Sequence, residues 1–429
     1  MTRLLAILSL TILITAPALA APPVKGDLVP GQYLVVLKKT GTFGGLLSAD
    51  QIATLAKELA GQYGGTLLLT YGNALNGYLV KLDDRQAAAL GKDPLVKYVE
   101  QDSFVAPVRM QTKAPWGLDR IDQRKPSLDG DYRYPESAGK GVHVYVIDTG
   151  VRGTHNEFKG RYAGGVNFVS SDYNPANGQA GDVPDCNGHG THVAGTAVGE
   201  HYGVAKRARL YSVRVLDCEG SGTMSGVIAG VDWVARNVRR PAVANLSLGG
   251  GASRALDEAL NKLIDQGVVT VVAAGNDNRD ACDVSPARVP DAITVAASNP
   301  KDRRAPFSNF GKCVDLFAPG TDIPSAWFQR DTQNATISGT SMASPHVAGI
   351  AALYLGVHPK AHVREIAGDL IRGSSRDHIT DEKGSPNRLA YSGVVTDDRR
   401  GGQPGDDESQ APNGLPLPPL PGPRLPIGR

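Results

Sequence analysis

Hydrophobic and polar positions divide the chain into regimes with different periods. The first is short. Arg3 precedes an apolar run over residues 4–14, and Ala18-Leu19-Ala20 follows as a small-residue cleavage signature. That order reads as an export signal over residues 1–20, removed from the mature protein. The run is too brief to cross about 30 Å of hydrocarbon comfortably. In the second regime, residues 31–37 (GQYLVVL) read as a strand, and residues 49–63 bring Ile52, Leu55, Ala56 and Leu59 to one helical face. Residues 75–82 (LNGYLVKL) alternate as a strand, residues 84–90 form a short helix, and residues 96–101 (VKYVEQ) a further strand. This unit, residues 21–108, holds neither Cys nor His. It is predicted to be a small α+β helper domain rather than an enzyme.

From residue 109 the pattern changes. Residues 142–147 (VHVYVI), 210–215, 242–248, 267–274 and 292–297 read as strands, the first dominated by β-branched residues and 267–274 (GVVTVVAA) almost wholly apolar. Between them, residues 191–198, 224–236, 252–266 and 341–354 have helical spacing, with Leu256, Leu260, Leu263 and Ile264 inward in the third of these. Continuous apolar strands alternating with helices predict an α/β fold with a mostly parallel sheet covered on both faces. This domain is assigned to residues 109–395. The remainder, 396–429, is Pro- and Gly-rich and is expected to be a disordered or extended tail, because it cannot bury a core.

Composition narrows the function classes. Lys+Arg is 45 against Asp+Glu 43, a net charge of +2, so the chain lacks the basic excess expected of a nucleic-acid binder. No later segment is apolar enough to span a bilayer, which predicts an exported, soluble protein in the extracellular space or in periplasmic transit. Four Cys in an exported chain suit local disulfides, with three possible pairings.

Three polar side chains stand at the ends of buried elements. Asp148 terminates the VHVYVI strand, where open α/β sheets bind ligands. The Asp-Thr-Gly at 148–150 is also an aspartic-protease signature, but that chemistry needs a second such carboxylate, and none follows in the chain. His189 lies between glycines at the head of a small-residue helix. The His189/His192 spacing raises a metal site, yet there is no His-Glu-x-x-His pattern, and Cys186 is the one soft ligand nearby. Cys186 could also be a nucleophile, although exported thiols are mostly paired. Ser341 precedes Pro345, a residue suited to a first helical turn, so its hydroxyl sits where a helix amino end favours an oxyanion. A serine nucleophile needs a base, and the base an orienting carboxylate. Asp148, His189 and Ser341 supply these in the order Asp…His…Ser, the order of subtilisin.

The segments VIDTG, NGHGTHVAG and SGTSMASPHVAG together resemble the three active-site signatures of the subtilases. Ala114-Pro-Trp-Gly-Leu118 and Tyr202-Gly-Val-Ala-Lys206 are similar to the proteinase K branch, and residues 116–124, 241–245 and 384–388 to its aqualysin-like exported bacterial proteases. GQYLVVLK and YVEQD upstream resemble the family's inhibitor-type propeptide. The resemblance implies a three-layer subtilisin-like fold behind a ferredoxin-like propeptide domain. It implies a broad-specificity serine endopeptidase made as a self-processing zymogen, cut near residues 107–111. Asn276 would donate to the oxyanion. Ser247, Leu248 and Gly249 would be an edge strand for extended peptide, and Ala273, Ala274 and Gly275 the other wall of a roomy apolar pocket. It further implies the disulfides Cys186–Cys218 and Cys282–Cys313, and structural calcium at two sites. One would use Asp315 with the carbonyls of Pro290 and Ala292, the other Asp119, Asp122, Gln123, Asp129 and Asp131. The expected partners are protein and peptide substrates and the chain's own propeptide, with the enzyme a monomer. The alternative is a binding protein that keeps the fold without the chemistry.

Overall fold

The computed structural model describes residues 28–38, 48–103, 108–169, 179–181 and 183–395. The expected export signal (1–20) and tail (396–429) lie outside the described residues. The helper unit runs β1 (Leu28–Leu37), α1 (Ala49–Gln62), β2 (Thr66–Tyr71), β3 (Gly77–Lys81), α2 (Asp84–Leu90) and β4 (Val96–Ser103). Its antiparallel sheet has the order β2-β3-β1-β4, which with the βαββαβ sequence is the ferredoxin-like arrangement. Both helices start in capping boxes, Ser48 with Gln51 and Asp83 with Gln86. Tyr33, Val35, Leu59, Tyr78, Val80 and Leu90 fill the core. The opposite sheet face carries Leu34, Val36, Leu69, Leu79 and Tyr98 in register, of which Leu69 and Tyr98 are exposed.

The second domain continues with β5 (Val108–Thr112), α3 (Trp116–Ile121), β6 (Asp131–Pro135), β7 (His143–Asp148), β8 (Tyr162–Asn167), β9 (Gln179–Gly181), α4 (His189–Val198), β10 (Arg209–Arg214) and α5 (Met224–Asn237). Next come β11 (Ala242–Leu246), β12 (Gly250–Gly251), α6 (Arg254–Asp265), β13 (Val268–Ala273), β14 (Val284–Ser285), β15 (Ile293–Ser298) and β16 (Leu316–Pro319). The chain closes with β17 (Ile323–Ala326), β18 (Asn334–Ile337), α7 (Thr340–Val357), α8 (Val363–Arg372), β19 (Ser375–Arg376) and β20 (Arg388–Leu389).

Ten strands form one sheet in the order β19-β20-β16-β15-β13-β11-β7-β10-β8-β9, antiparallel only at its two ends. The central strands β11, β13 and β15 are buried throughout, as strands covered on both faces should be. Helices α4 and α7 pack together on one face, and α5 and α6 on the other. From β7 the chain builds outward through β8 and β10, then returns to β7's other side with β11. Ligands bind at the carboxyl ends of strands where such an order reverses. Asp148 ends β7, and the register Asn245↔Val146 brings Ser247 level with it.

Two local expectations change. Helix α7 begins at Thr340, so Pro345 lies in its second turn and not its first. Pro345 has no N–H for the Ser341 carbonyl, and that carbonyl accepts instead from Ser247 Oγ at 2.9 Å. The strand expected over 242–248 stops at Leu246. Beyond the end of this central strand, Ser247, Leu248 and Gly249 form an irregular segment leading from β11 to β12. Both expected disulfides form, Cys186–Cys218 and Cys282–Cys313, with separations of 32 and 31 residues. Loops of that length correspond to about 3 kcal/mol or more of stabilisation each in the chain-entropy treatment.

Candidate active site

Asp148 is fully buried at the end of β7. Its Oδ1 accepts from the Thr149 N–H at 2.7 Å and from His189 Nδ1 at 2.7 Å, while Oδ2 is buried without a hydrogen bond. His189 is the first residue of α4. Gly188 before it has φ +109, and a Cβ there would stand 2.6 Å from the Trp327 ring, so both backbone and space require glycine. About a quarter of the imidazole faces solvent. Burial disfavours its charged form, but the charge and hydrogen bond of Asp148, helped by the charge of Asp185, hold its pKa above the ordinary value.

Ser341 is the second residue of α7. Its hydroxyl donates to the Ser247 carbonyl at 3.1 Å, and Ser247 Oγ also meets Ser344 Oγ at 2.8 Å and Asn245 Nδ2 at 2.9 Å. Beside it, Asn276 Oδ1 accepts from Thr340 N and Thr340 Oγ1, each at 2.9 Å. Fixing the amide oxygen leaves the NH₂ end pointing elsewhere. It points at Gly339: a Cβ built on Gly339 would lie 3.7 Å from Asn276 Nδ2 and 3.6 Å from the Ser341 N. Two N–H donors thus border one small space next to a serine hydroxyl, the layout of an oxyanion hole.

A cleft of about 570 Å³ opens beside His189, bordered by Asn187, Glu219, Ser247, Leu248 and Gly249. Leu248 is half-buried and Gly249 exposed. Ala273 and Ala274 are buried, and Gly275 is half-exposed beside Asn276.

The rival readings of these segments fail on geometry. Cys186 is disulfide-bonded and is no nucleophile. His192 turns from His189 and donates from Nε2 to the carbonyls of Ile323 and Ala335 at 2.9 and 3.2 Å, its pKa lowered to about 4, chiefly by burial. Asp148 pairs with an imidazole, not with a second carboxylate.

The expected amino-terminal cation site does gather its residues. Asp119 accepts from the N–H groups of Gly130 and Asp129 at 2.8 and 3.2 Å, and Gln123 Nε2 donates to Asp119 and Asp129. Arg133 pairs with Asp129 at 2.9 Å and Asp131 at 3.4 Å. Asp122 keeps Oδ1 buried with no partner, and burial pushes its pKa up to about 7. At the other expected site, Asp315 Oδ2 accepts from Thr294 N at 2.8 Å, and burial pushes its carboxyl up to about 6. Among the described residues, no three His, Cys, Asp or Glu side chains converge as a ready cage.

Asp185, Thr149 and Thr340 also shape the site. Thr149 and Thr340 act on segments distant in the chain, which no local pattern shows; Asp185 binds mainly the start of the helix that follows it.

Comparison with known proteins agrees with this geometry. The sequence model of the Subtilase family matches residues 139–403, and that of Peptidase inhibitor I9 matches residues 32–107. An extracellular serine proteinase of Thermus sp. (strain Rt41A) is 48% identical over 379 residues, spanning 85% of this chain and 90% of that protein. Alkaline serine exoprotease A of Vibrio alginolyticus is 47% identical, spanning 84% of this chain and 67% of that protein. The crystal structure of a cold adapted subtilisin-like serine proteinase is similar with a TM-score of 0.62 and 53% identity, covering 66% of this chain and 99% of that one.

Proposed function

Because the chain belongs to the subtilase family and is a serine endopeptidase, we propose that Asp148, His189 and Ser341 are its catalytic triad. The 2.7 Å bond between Nδ1 of His189, which lines the cleft, and Oδ1 of the buried Asp148 carries this reading. The carboxylate holds the tautomer with the proton on Nδ1, which leaves Nε2 as the base. The Ser341 hydroxyl swings from the Ser247 carbonyl to Nε2, loses its proton there and attacks the scissile carbonyl. Asn276 Nδ2 and the Ser341 N–H receive the oxyanion, and the imidazolium then protonates the leaving amine. Extended peptide lies along the backbone of Ser247, Leu248 and Gly249, which demands little of its sequence. The small neutral residues Ala273, Ala274 and Gly275 favour broad cleavage after apolar or aromatic residues.

One experiment tests the triad. Casein hydrolysis should stop with a serine-directed phosphonylating reagent. Below a pKa that lies above the ordinary histidine value of about 6.5, kcat/KM should fall about tenfold per pH unit, because only neutral His189 can act as base. Undiminished activity at pH 5, or resistance to the reagent, would overturn the assignment.

Residues 1–20 as export signal, the names of the extracellular relatives and the two disulfides support secretion. Among the described residues no helix is long and apolar enough to cross a membrane. Residues 21–108 are the intramolecular inhibitor, and the apolar outer face around Leu69 and Tyr98 suits docking. Residues 109–395 are the peptidase, 396–429 its tail, and the mature enzyme is a monomer that takes no nucleic acid. Self-cleavage near 107–111 separates inhibitor from enzyme. Pro107 lies outside the described residues, and Val108–Thr112 are already paired with β6.

Calcium is the structural ion. The buried, unpartnered Asp122 Oδ1 beside Asp119 fits a hard dication, which favours clustered oxygen donors; Gln123, Asp129 and Asp131 would complete that site. Asp315, with the Pro290 and Ala292 carbonyls, would hold the second. A chelator should lower Tm. Calcium at 100 times its Kd should restore about 2.7 kcal/mol per site, measured by calorimetry, and Asp122→Asn should remove the amino-terminal increment. A Tm indifferent to chelator would sink the calcium reading.

A further inference from the structure

Asp185 takes no part in the chemistry above, yet it is 7% exposed and its carboxylate accepts five hydrogen bonds. Oδ1 takes Thr149 Oγ1, Asn187 N and Gly188 N, each at 2.9 Å. Oδ2 takes Thr191 N at 3.0 Å and Thr191 Oγ1 at 2.6 Å.

These bonds answer a specific need of α4. Its N-cap, Gly188, has no side chain to cap the helix, so the first N–H groups need acceptors from elsewhere. His189 N finds Asn187 Oδ1 at 3.2 Å, Gly190 N finds Thr149 Oγ1 at 2.9 Å, and Thr191 N finds Asp185. A carboxylate also suits the positive end of a helix. Thr149 follows Asp148 directly in the chain, and Gly188 and Thr191 flank His189. One carboxylate therefore grips both the strand end that carries the acid and the helix start that carries the base.

We infer that Asp185 is a positioning residue, which sets the approach of His189 to Asp148 through Thr149 and the amino end of α4. The inference rests on the triad reading. The charged and titratable groups around His189 are Asp148 on β7, Asp185 in the preceding loop, His192 on its own helix and Glu219 in the cleft wall.

Asp185→Asn keeps the shape but sets an NH₂ group against part of this donor set and removes a negative charge near the imidazole. Misplacing reacting groups by about 1 Å costs on the order of 100-fold. The variant should lose about 10–100-fold in kcat with KM little changed, and the acid limb of kcat/KM should move to lower pH. Thr149→Val should reproduce the kcat loss, Thr149→Ser should restore wild-type rates, and the double variant Asp185→Asn/Thr149→Val should lose less than the product of the single losses. If Asp185→Asn does not fold, the Thr149 pair carries the test. In a Ser341→Ala background, the His189 titration followed by NMR should shift to lower pH on Asp185→Asn, a readout that needs no activity. Ser341→Ala that still hydrolyses peptide bonds would defeat the triad reading itself. An inactive Ser341→Ala, together with Asp185→Asn of unchanged kcat and titration, or with losses that only follow a lower Tm, would defeat the positioning role alone.

Discussion

Ser341→Ala should lower kcat by about 10⁶-fold, the size known for the nucleophile of subtilisin, a relative, and should leave the chain at its precursor mass if the proposed self-cleavage holds. The hydroxyl makes one hydrogen bond, to the Ser247 carbonyl, so its removal should cost only about 1 kcal/mol of stability. The backbone of the segment is unaffected, since the Ser341 carbonyl remains bound to Ser247 Oγ. A folded variant with an unchanged circular-dichroism spectrum and Tm near that of wild type therefore isolates the chemical step. Adding His189→Ala should cost little more, because nucleophile and base act as a unit. Mass spectrometry of the variant made alone is the decisive measurement. Trimming to the wild-type mature size would show that another protease makes the cut, and self-processing would be abandoned even if hydrolysis of casein is lost.

The residues proposed for the chemistry were legible in the sequence because each marks the end of an element with a strong local pattern. Asp148 closes an unbroken apolar strand, and His189 and Ser341 open helices made of small residues. Their supports are harder to read: Thr149 and Ser247 come from across the fold, while Asp185 and Asn187 stand just before α4 and cap it in place of the side chain that Gly188 lacks. Helix α4 begins at His189, two residues before the start expected from spacing, because Asn187, Thr149 and Asp185 cap N–H groups that the local pattern leaves unpaired. Helix α7 likewise starts at Thr340, so that Pro345 falls in the second turn and the freed carbonyl of Ser341 finds Ser247. The strand expected over 242–248 ends at Leu246, and Ser247 beyond it turns its hydroxyl to the Ser341 carbonyl, a partner far away in the chain. The helper domain lost β2 in the reading of its pattern, since TLLLTY shows no clean alternation. The short strands β17 to β20 carry too few residues for a period to emerge.

The space above Gly339 yields the second large effect. Asn276→Leu should lower kcat by about 10²–10³ with little change in KM, a magnitude measured on the corresponding donor of subtilisin. The donor works only on charge that develops in the transition state, so ground-state binding should be spared. Gly339→Ala approaches the same space from the other side. Its φ of 163 is extended backbone open to any residue, and the added Cβ would meet its neighbours at 3.6 Å or more, ordinary van der Waals separations. The fold should accept the methyl. An oxyanion, however, must come within about 2.7–3.1 Å of its donors, and the methyl crowds the place where Ser341 N and Asn276 Nδ2 converge. Gly339→Ala should thus lose about 10-fold or more in kcat while Tm stays within a few degrees. Thr340→Val, which removes one of the two hydrogen bonds that hold the Asn276 amide and keeps the one from the Thr340 N–H, should give a smaller loss of the same kind. Steady-state kinetics on a single peptide substrate separates the outcomes. If either Asn276→Leu or Gly339→Ala raised KM and left kcat intact, the two N–H groups would be binding the ground-state carbonyl, and this space would not be the oxyanion hole.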